Sequence, residues 1–91
     1  MEISDIKIRK VINGENRLKA IVSITLDGLV AVHDIKVIEG DSRLFVAMPS
    51  RKDESGIYRD IIHPINKDAR NMIESGILNA YSEYINHLPA N

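Results

Sequence analysis

The chain has 91 residues, a formal net charge of −1 and no cysteine. This length predicts a single domain over residues 1–91, and a domain of this size buries only about 60–65% of the surface that its unfolded chain exposes. The absence of cysteine excludes disulfide bonds and thiolate metal sites, and the near-neutral charge argues against a protein that coats nucleic acid by charge alone.

The N-terminal part of the chain is predicted to form antiparallel strands. Apolar residues recur with period two at Leu18, Ala20, Val22, Ile24 and Leu26, as in a strand with one buried face. A three-residue turn at residues 13–15, with Gly14 at positive φ, would pair Ile8 with Ala20 and Ile6 with Val22. The sequence therefore predicts a three-stranded meander over residues 3–38.

The dipeptide Asp27-Gly28 predicts a tight hairpin, because both central positions of a type I′ turn need positive φ. Closing a two-residue loop there would pair Val22 with His33 and Lys19 with Lys36. His33 would then be the one polar residue on the apolar face. We expect it to be a core or interface histidine held by hydrogen bonds.

Two further strands are predicted after the meander. Residues 44–48 form an apolar run that ends at Pro49, and residues 58–63 form another that ends at Pro64. A polar loop over residues 49–56 would separate these strands. We expect the two strands to pair with each other.

The last part of the chain is predicted to be one long helix that begins at the N-cap residue Asn66. Apolar or small residues recur at spacings of three and four: Ala69, Met72, Ile73, Gly76, Ile77, Ala80, Tyr81, Tyr84, Ile85 and Leu88. Burying this stripe on the sheet gives a two-layer α+β fold. Gly76 lies on the stripe, where the lack of a side chain allows a close approach to the sheet.

Candidate catalytic residues are few. Adjacent strand residues point to opposite faces, so His33 and Asp34 cannot act together on one substrate atom. The sequence has no nucleophile motif, P-loop, dinucleotide fingerprint or metal-ligand spacing. We expect a protein that is not an enzyme, with no cofactor, no metal and no small-molecule substrate.

No apolar run approaches the ~20 residues that span a bilayer, and the first residues lack a signal-peptide pattern. The expected location is therefore cytoplasmic, without membrane contact.

Basic residues in the middle of the chain are the candidate nucleic-acid-binding set. Arg51 and Lys52 lie on the predicted loop, and Lys67 and Arg70 lie in the first helical turns. Mobile cations beside exposed helix N–H groups are suited to phosphate contacts. From the residues alone, ordinary solubilising charge is the preferred explanation of these four cations. The acidic residues Asp53, Glu54 and Asp68 lie next to them and would weaken phosphate affinity.

Aromatic residues offer a second way to hold nucleic acid, because single-stranded bases stack on exposed rings. Phe45 and Tyr58 lie on predicted strands, and either core packing or stacking is open for Tyr58. Core packing is expected for Tyr81 and Tyr84 on the helix stripe.

Three segments of the sequence resemble the SpoVG family. They are Val-His-Asp-Ile at residues 32–35, Leu-Phe-Val-Ala-Met-Pro-Ser-Arg-Lys at residues 44–52, and Arg-Asp-Ile-Ile-His-Pro-Ile-Asn at residues 59–66. The resemblance implies a small, dimeric bacterial regulator that binds nucleic acid and is linked to septation and sporulation. It also implies that Arg51, Lys52 and Arg70 match basic positions of that family.

The leading hypothesis is a homodimeric regulator that binds DNA, with RNA as a second possible ligand, through paired basic loops and helix starts. Small size, the lack of disulfides and more apolar strand than one helix can cover favour a homodimer. The strand regions 44–48 and 58–63 are expected to contribute to its interface. The competing hypothesis is a protein-interaction module that recruits a cell-division or transcription partner, with nucleic-acid binding incidental.

Overall fold

The computed structural model describes residues 2–12 and 14–87 as one helix and two antiparallel sheets. In chain order the elements are β1 (Ile3–Val11), β2 (Leu18–Leu26), β3 (Val30–Glu39), β4 (Leu44–Ala47), β5 (Ser50–Lys52), β6 (Tyr58–Asp60) and α1 (Lys67–Asn86). The first four strands form one sheet in the order β1-β2-β3-β4, and β5 pairs with β6 alone. The predicted α+β fold, with its meander, strand pair and C-terminal helix, is confirmed.

The core lies between α1 and one face of the four-stranded sheet. Its buried apolar residues are Ala20, Val22, Ile24, Val32, Ile35, Val37, Val46, Ile73 and Ile77. Gly76 faces β1, where a Cβ would lie 3.4 Å from Cδ1 of Ile3 and 3.5 Å from Cδ1 of Ile6. The predicted close approach of helix and sheet at this glycine is therefore confirmed.

The predicted start of the helix is also confirmed. Asn66 has extended backbone, and its Oδ1 accepts a hydrogen bond from the backbone N–H of Ala69 at 2.8 Å.

Burial raises the pKa of the half-buried Tyr81 hydroxyl, and the nearby Glu39 carboxylate raises it further. Tyr84 is 43% exposed, so the prediction that it packs in the core is wrong. Leu88, the last residue of the predicted stripe, lies outside the described residues.

The pairing of β1 with β2 shows that the predicted face was right and the predicted register was wrong. Ile6 lies opposite Ile24 and Ile8 opposite Val22, two residues away from the expected pairs. β1 ends at Val11 and β2 begins at Leu18, so the connection is longer than the predicted three-residue turn, and an irregularity follows between Ile8 and Lys10. The shift is an even number of residues, so the same side chains still face the core.

The predicted pairing of β2 with β3 is wrong, because the loop is longer and a bulge follows it. Val22 lies opposite Ile35, and the register shifts between Val22 and Ile24. Asp34 has φ of 62°, a left-handed conformation that accommodates the extra residue of the bulge. The longer loop places Val32 opposite Ile24 on the core side, so the next residue, His33, is exposed and points away from the core. Its predicted hydrogen bonding is seen, because Nδ1 lies 2.9 Å from Oγ of Ser23.

The predicted pairing of Lys19 with Lys36 is also wrong. Lys36 lies opposite Ile21. The Nζ atom of Lys19 is 4.0 Å from a carboxylate oxygen of Glu39 and donates a hydrogen bond to the carbonyl of Gly14 at 3.2 Å. The expected like-charge repulsion is thus replaced by an ion pair.

The strand pair is formed by other residues than predicted. β4 joins the main sheet by pairing with β3, so that Phe45 lies opposite Ile38. The partner of residues 58–60 is β5, which lies inside the segment that we predicted to be a polar loop. Phe45 and Tyr58 therefore belong to different sheets.

Within the described residues, no helix is both long enough and apolar enough to cross a membrane.

Candidate nucleic-acid interface

The candidate residues Arg51 and Lys52 lie on β5, and not on a loop as predicted. We call residues 50–60, which include β5, β6 and the turn between them, the basic hairpin. Arg51 lies opposite Arg59 and Lys52 opposite Tyr58. Directly opposed residues of antiparallel strands point to the same face, so two guanidinium groups are neighbours on this small sheet.

The turn of the basic hairpin is organised by the carboxylate of Asp53. Its Oδ1 accepts hydrogen bonds from the backbone N–H and the hydroxyl of Ser55, at 2.9 and 2.7 Å, and from the backbone N–H of Ile57 at 3.0 Å. Its Oδ2 accepts from Nε of Arg59 at 2.7 Å. Gly56 has φ of 88°, a conformation that glycine adopts without strain. One carboxylate thus fixes both the turn and the arginine of β6.

The same hydrogen bonds change the acidity of this carboxyl group. The hydrogen bond from Arg59 is the largest cause, followed by those from Ser55 and Ile57, and together they lower the pKa of Asp53 from 3.8 to about 2. A folded-state pKa below the unfolded value stabilises the hairpin above the unfolded pKa, and that stabilisation is lost as the pH falls through the folded value.

We expect the carboxyl carbon of Asp53 to titrate by NMR with a midpoint about 2 in the folded protein. The amide shifts of Ser55 and Ile57 should follow the same curve, because their hydrogen bonds weaken when the carboxylate is protonated. In Asp53→Asn this shared titration should disappear, whereas Glu54→Gln should retain it. A midpoint near the ordinary value of 3.8 would show that the carboxylate does not hold the turn.

The other two candidate residues meet at the start of α1. Lys67 and Arg70 line a groove of about 280 Å³ together with Pro64, Ile65 and Asn66. Both cations are exposed. The side chain of Asn66 already occupies the N–H of Ala69, so this amide is not available to a phosphate.

The structure thus brings the four predicted cations together as two pairs, one on the basic hairpin and one at the helix start. None of the four forms an ion pair with another described residue. A fifth cation, Arg59, was missed by the sequence prediction. The signal for it was the Asp-x-Ser-Gly turn at residues 53–56, which predicts a hairpin that would bring Arg59 beside Arg51.

Large apolar side chains are exposed on and beside the basic hairpin. Tyr58 is 69% exposed, so its ring is accessible and does not pack in the core. Ile57, Ile61 and Ile65 are also exposed. Clusters of this kind are typical of interaction surfaces.

Within residues 2–12 and 14–87, no group of three or more His, Cys, Asp or Glu side chains is placed to hold a metal ion.

Comparison with known proteins gives one family. Residues 1–83 match the SpoVG family model. A protein of Desulforudis audaxviator is 56% identical over 81 residues, which cover 89% of this chain and 91% of the relative. A protein of Heliobacterium modesticaldum is 55% identical over 83 residues, covering 91% of this chain and 92% of the relative. One from Phytoplasma australiense is 48% identical over 87 residues, covering 96% and 90%.

All three relatives carry a SpoVG septation-protein name. The matched segment contains every strand and all of α1 except its last residues, including the basic hairpin and the helix start. The chain therefore belongs to the SpoVG family.

Proposed function

We propose that this protein is a homodimeric regulator, without enzymatic activity of its own, that binds DNA, and RNA as a second ligand, through the basic hairpin and the helix start. The observation that carries the proposal is the pairing of Arg51 with Arg59 on one face of a two-stranded sheet, with Lys52 next along β5 on the other face. No cofactor or small-molecule substrate takes part.

The electrostatics of the basic hairpin favour an anionic ligand. Like charges that lie directly opposite each other on paired strands destabilise the pair. Asp53 offsets the charge of Arg59, but Arg51 has no acidic partner among the described residues. A phosphate placed between the two guanidinium groups would relieve this repulsion and accept charge-assisted hydrogen bonds from both.

The helix start supports a second phosphate contact. Lys67 and Arg70 are three residues apart, so they lie on one side of α1 and border the same groove. The positive end of the helix dipole adds to their attraction for an anion. Asp68 in the first turn opposes this attraction, and its effect on affinity is part of what binding measurements would show.

The homodimer is supported by the surfaces that one chain leaves uncovered. The exposed side chains of Ile57, Tyr58 and Ile61 lie on or beside β6, whose outer edge has no partner strand among the described residues. β4 is likewise an edge strand of the main sheet. A second copy that covers these edges would satisfy their free N–H and C=O groups. The homodimer would then present two basic hairpins, one from each subunit.

The names of the relatives support a role linked to septation. The proposed role includes sporulation. A competing proposal keeps this cellular role but makes the protein an interaction module. The exposed apolar side chains of Ile57, Ile61 and Ile65 favour it, because they would suit a protein partner as well as a second copy.

Salt dependence separates these two proposals. We expect the affinity for labelled duplex DNA, and for single-stranded RNA, to fall steeply and linearly in a plot of log K against log salt, because each phosphate that the protein neutralises releases counterions. Weak binding that does not vary with salt would favour the protein partner. Sedimentation of the same samples tests the homodimer, which a stable folded species of 10.2 kDa would contradict.

A further inference from the structure

The four-stranded sheet has one face that α1 does not cover, and we call it the open face. Val22, Ile35 and Val37 are buried on the helix side, so their neighbours along each strand point the other way. Cross-strand partners define rows on this face. One row holds Lys10, Ile21, Lys36 and Ala47, a second holds Lys7 and Ser23, and a third holds Leu18, Ile38 and Phe45.

The open face carries an excess of positive charge. Four exposed cations, Lys7, Arg9, Lys10 and Lys36, lie on it against the two acidic residues Asp5 and Asp34. None of these four cations forms an ion pair within the described part of the chain. Four unpaired cations on a surface four strands wide are complementary to a polyanion.

One of these cations is held in place. The Nε atom of Arg9 donates a hydrogen bond to Oγ of Ser23 at 3.3 Å, and Nδ1 of His33 lies 2.9 Å from the same oxygen. Ser23 is only 7% exposed, although it faces away from the core. Because Arg9 is anchored through Nε, its terminal N–H groups can meet a ligand with less loss of side-chain entropy.

An aromatic ring lies at the edge of the same face. Phe45 is 37% exposed on β4. Its ring is supported by Gly40, where a Cβ would lie 3.3 Å from ring atoms Cδ1 and Cε1. A ring that is fixed on one side and open on the other is suited to stacking against an unpaired base.

The open face is continuous with the basic hairpin. A groove of about 230 Å³ is lined by Ile21, Asp34 and Lys36 from the sheet and by Pro49, Ser50 and Ile61 from the hairpin and its flanks. An extended chain that leaves the sheet along this groove would reach Arg51, the residue that follows Ser50.

We propose that the open face binds single-stranded nucleic acid, with phosphates on Lys7, Arg9, Lys10 and Lys36 and one base on Phe45. A duplex keeps its bases stacked inside and offers nothing to Phe45, whereas a single strand offers both backbone charge and free bases. For the class of ligand this inference rests on the proposed function. Its residues are separate from the four of the basic hairpin and helix start.

The test measures binding of fluorescein-labelled oligouridine and of a labelled DNA duplex by anisotropy across a range of salt concentrations. In the triple variant Lys7→Ala, Lys10→Ala, Lys36→Ala, the slope of log K against log salt for oligouridine should fall by about 0.7 for each phosphate that is no longer neutralised. Phe45→Leu should weaken oligouridine binding about tenfold and leave the salt slope unchanged, because stacking releases no counterions.

Arg17→Ala is the control for removal of a cation, because Arg17 pairs with Asp41 and not with the open face. It should bind oligouridine as the parent does. Circular dichroism melts of every variant show whether the fold is intact, which matters most for Phe45→Leu.

Four outcomes separate this inference from the proposed function. Oligouridine binding that is unchanged in the triple variant and in Phe45→Leu, while Arg51→Ala with Lys52→Ala weakens it, overturns the open-face site alone. An equal decrease in affinity for duplex and oligouridine in the triple variant overturns the assignment to single strands. A parent protein that binds neither ligand overturns both proposals. Selective weakening of oligouridine binding in both sets of open-face variants supports the inference.

Discussion

Replacing Ile77 with Asp is expected to unfold the protein. Ile77 lies in the middle of α1, has no exposed surface and packs in the core with residues of β2 and β3. A carboxylate there would be buried without a partner, or would have to take up a proton, and either costs several kcal/mol. Domains have only about 5–15 kcal/mol of stability in total, and a domain this small lies near the lower end.

Thermal and urea unfolding followed by circular dichroism measures this effect. Asn79→Asp is the matched control, because it adds the same carboxylate at an exposed position of the same helix. The control should unfold close to the parent. If Ile77→Asp also unfolded at the parent's midpoint, α1 could not be packed on the sheet through this residue.

Removing Arg51 and Lys52 together is expected to have the largest effect on binding to duplex DNA. Both residues are exposed on β5, so their replacement by Ala should leave the fold intact. Each phosphate that is no longer neutralised should lower the slope of log K against log salt by about 0.9, and in a homodimer the effect is doubled. The affinity at low salt should fall by more than about tenfold for every sequence tested, because phosphate contacts carry no sequence information.

Two other variants show whether this decrease in affinity is specific. Arg17→Ala removes a cation away from the basic hairpin, and Glu74→Ala removes an acidic group from α1; neither should weaken binding. Arg70→Ala should lower the slope further and, if its side chain reaches a base edge, also reduce sequence preference. Binding that is indifferent to the removal of Arg51, Lys52 and Arg70 would contradict the proposed interface.

The fold class could be predicted from the sequence because period-two and helical periodicity are properties of the buried face. The strand registers could not, because they depend on bulges that alternation does not reveal. The loop after β2 is one residue longer than predicted, which moves His33 from the predicted core to the open face, and the positive φ at Asp34 then returns Ile35 to the core. The apolar pattern of β3 fits both the predicted and the observed pairing with β2. Packing against α1 distinguishes between them.

The candidate interface could be predicted in part. Composition and position predict its four cations, but the strand that carries Arg51 and Lys52 has no apolar alternation, so the sequence predicts a loop there. The hydrogen-bond network around Asp53 holds this short strand, whereas the sequence alone indicates only an unfavourable charge at that position. Arg59 was missed for the same reason, since its position beside Arg51 depends on that turn.

The order of the chain affects how the core is completed during synthesis. The backbone of α1 lies closest to β1 and β4, the two outer strands of the sheet. The meander connects neighbours in sequence and can form early, but its apolar face stays uncovered until Ile73 and Ile77 have left the ribosome. A chain interrupted before residue 73 would present that face to other nascent chains. The last quarter of the sequence is therefore needed to protect the apolar face of the meander from aggregation.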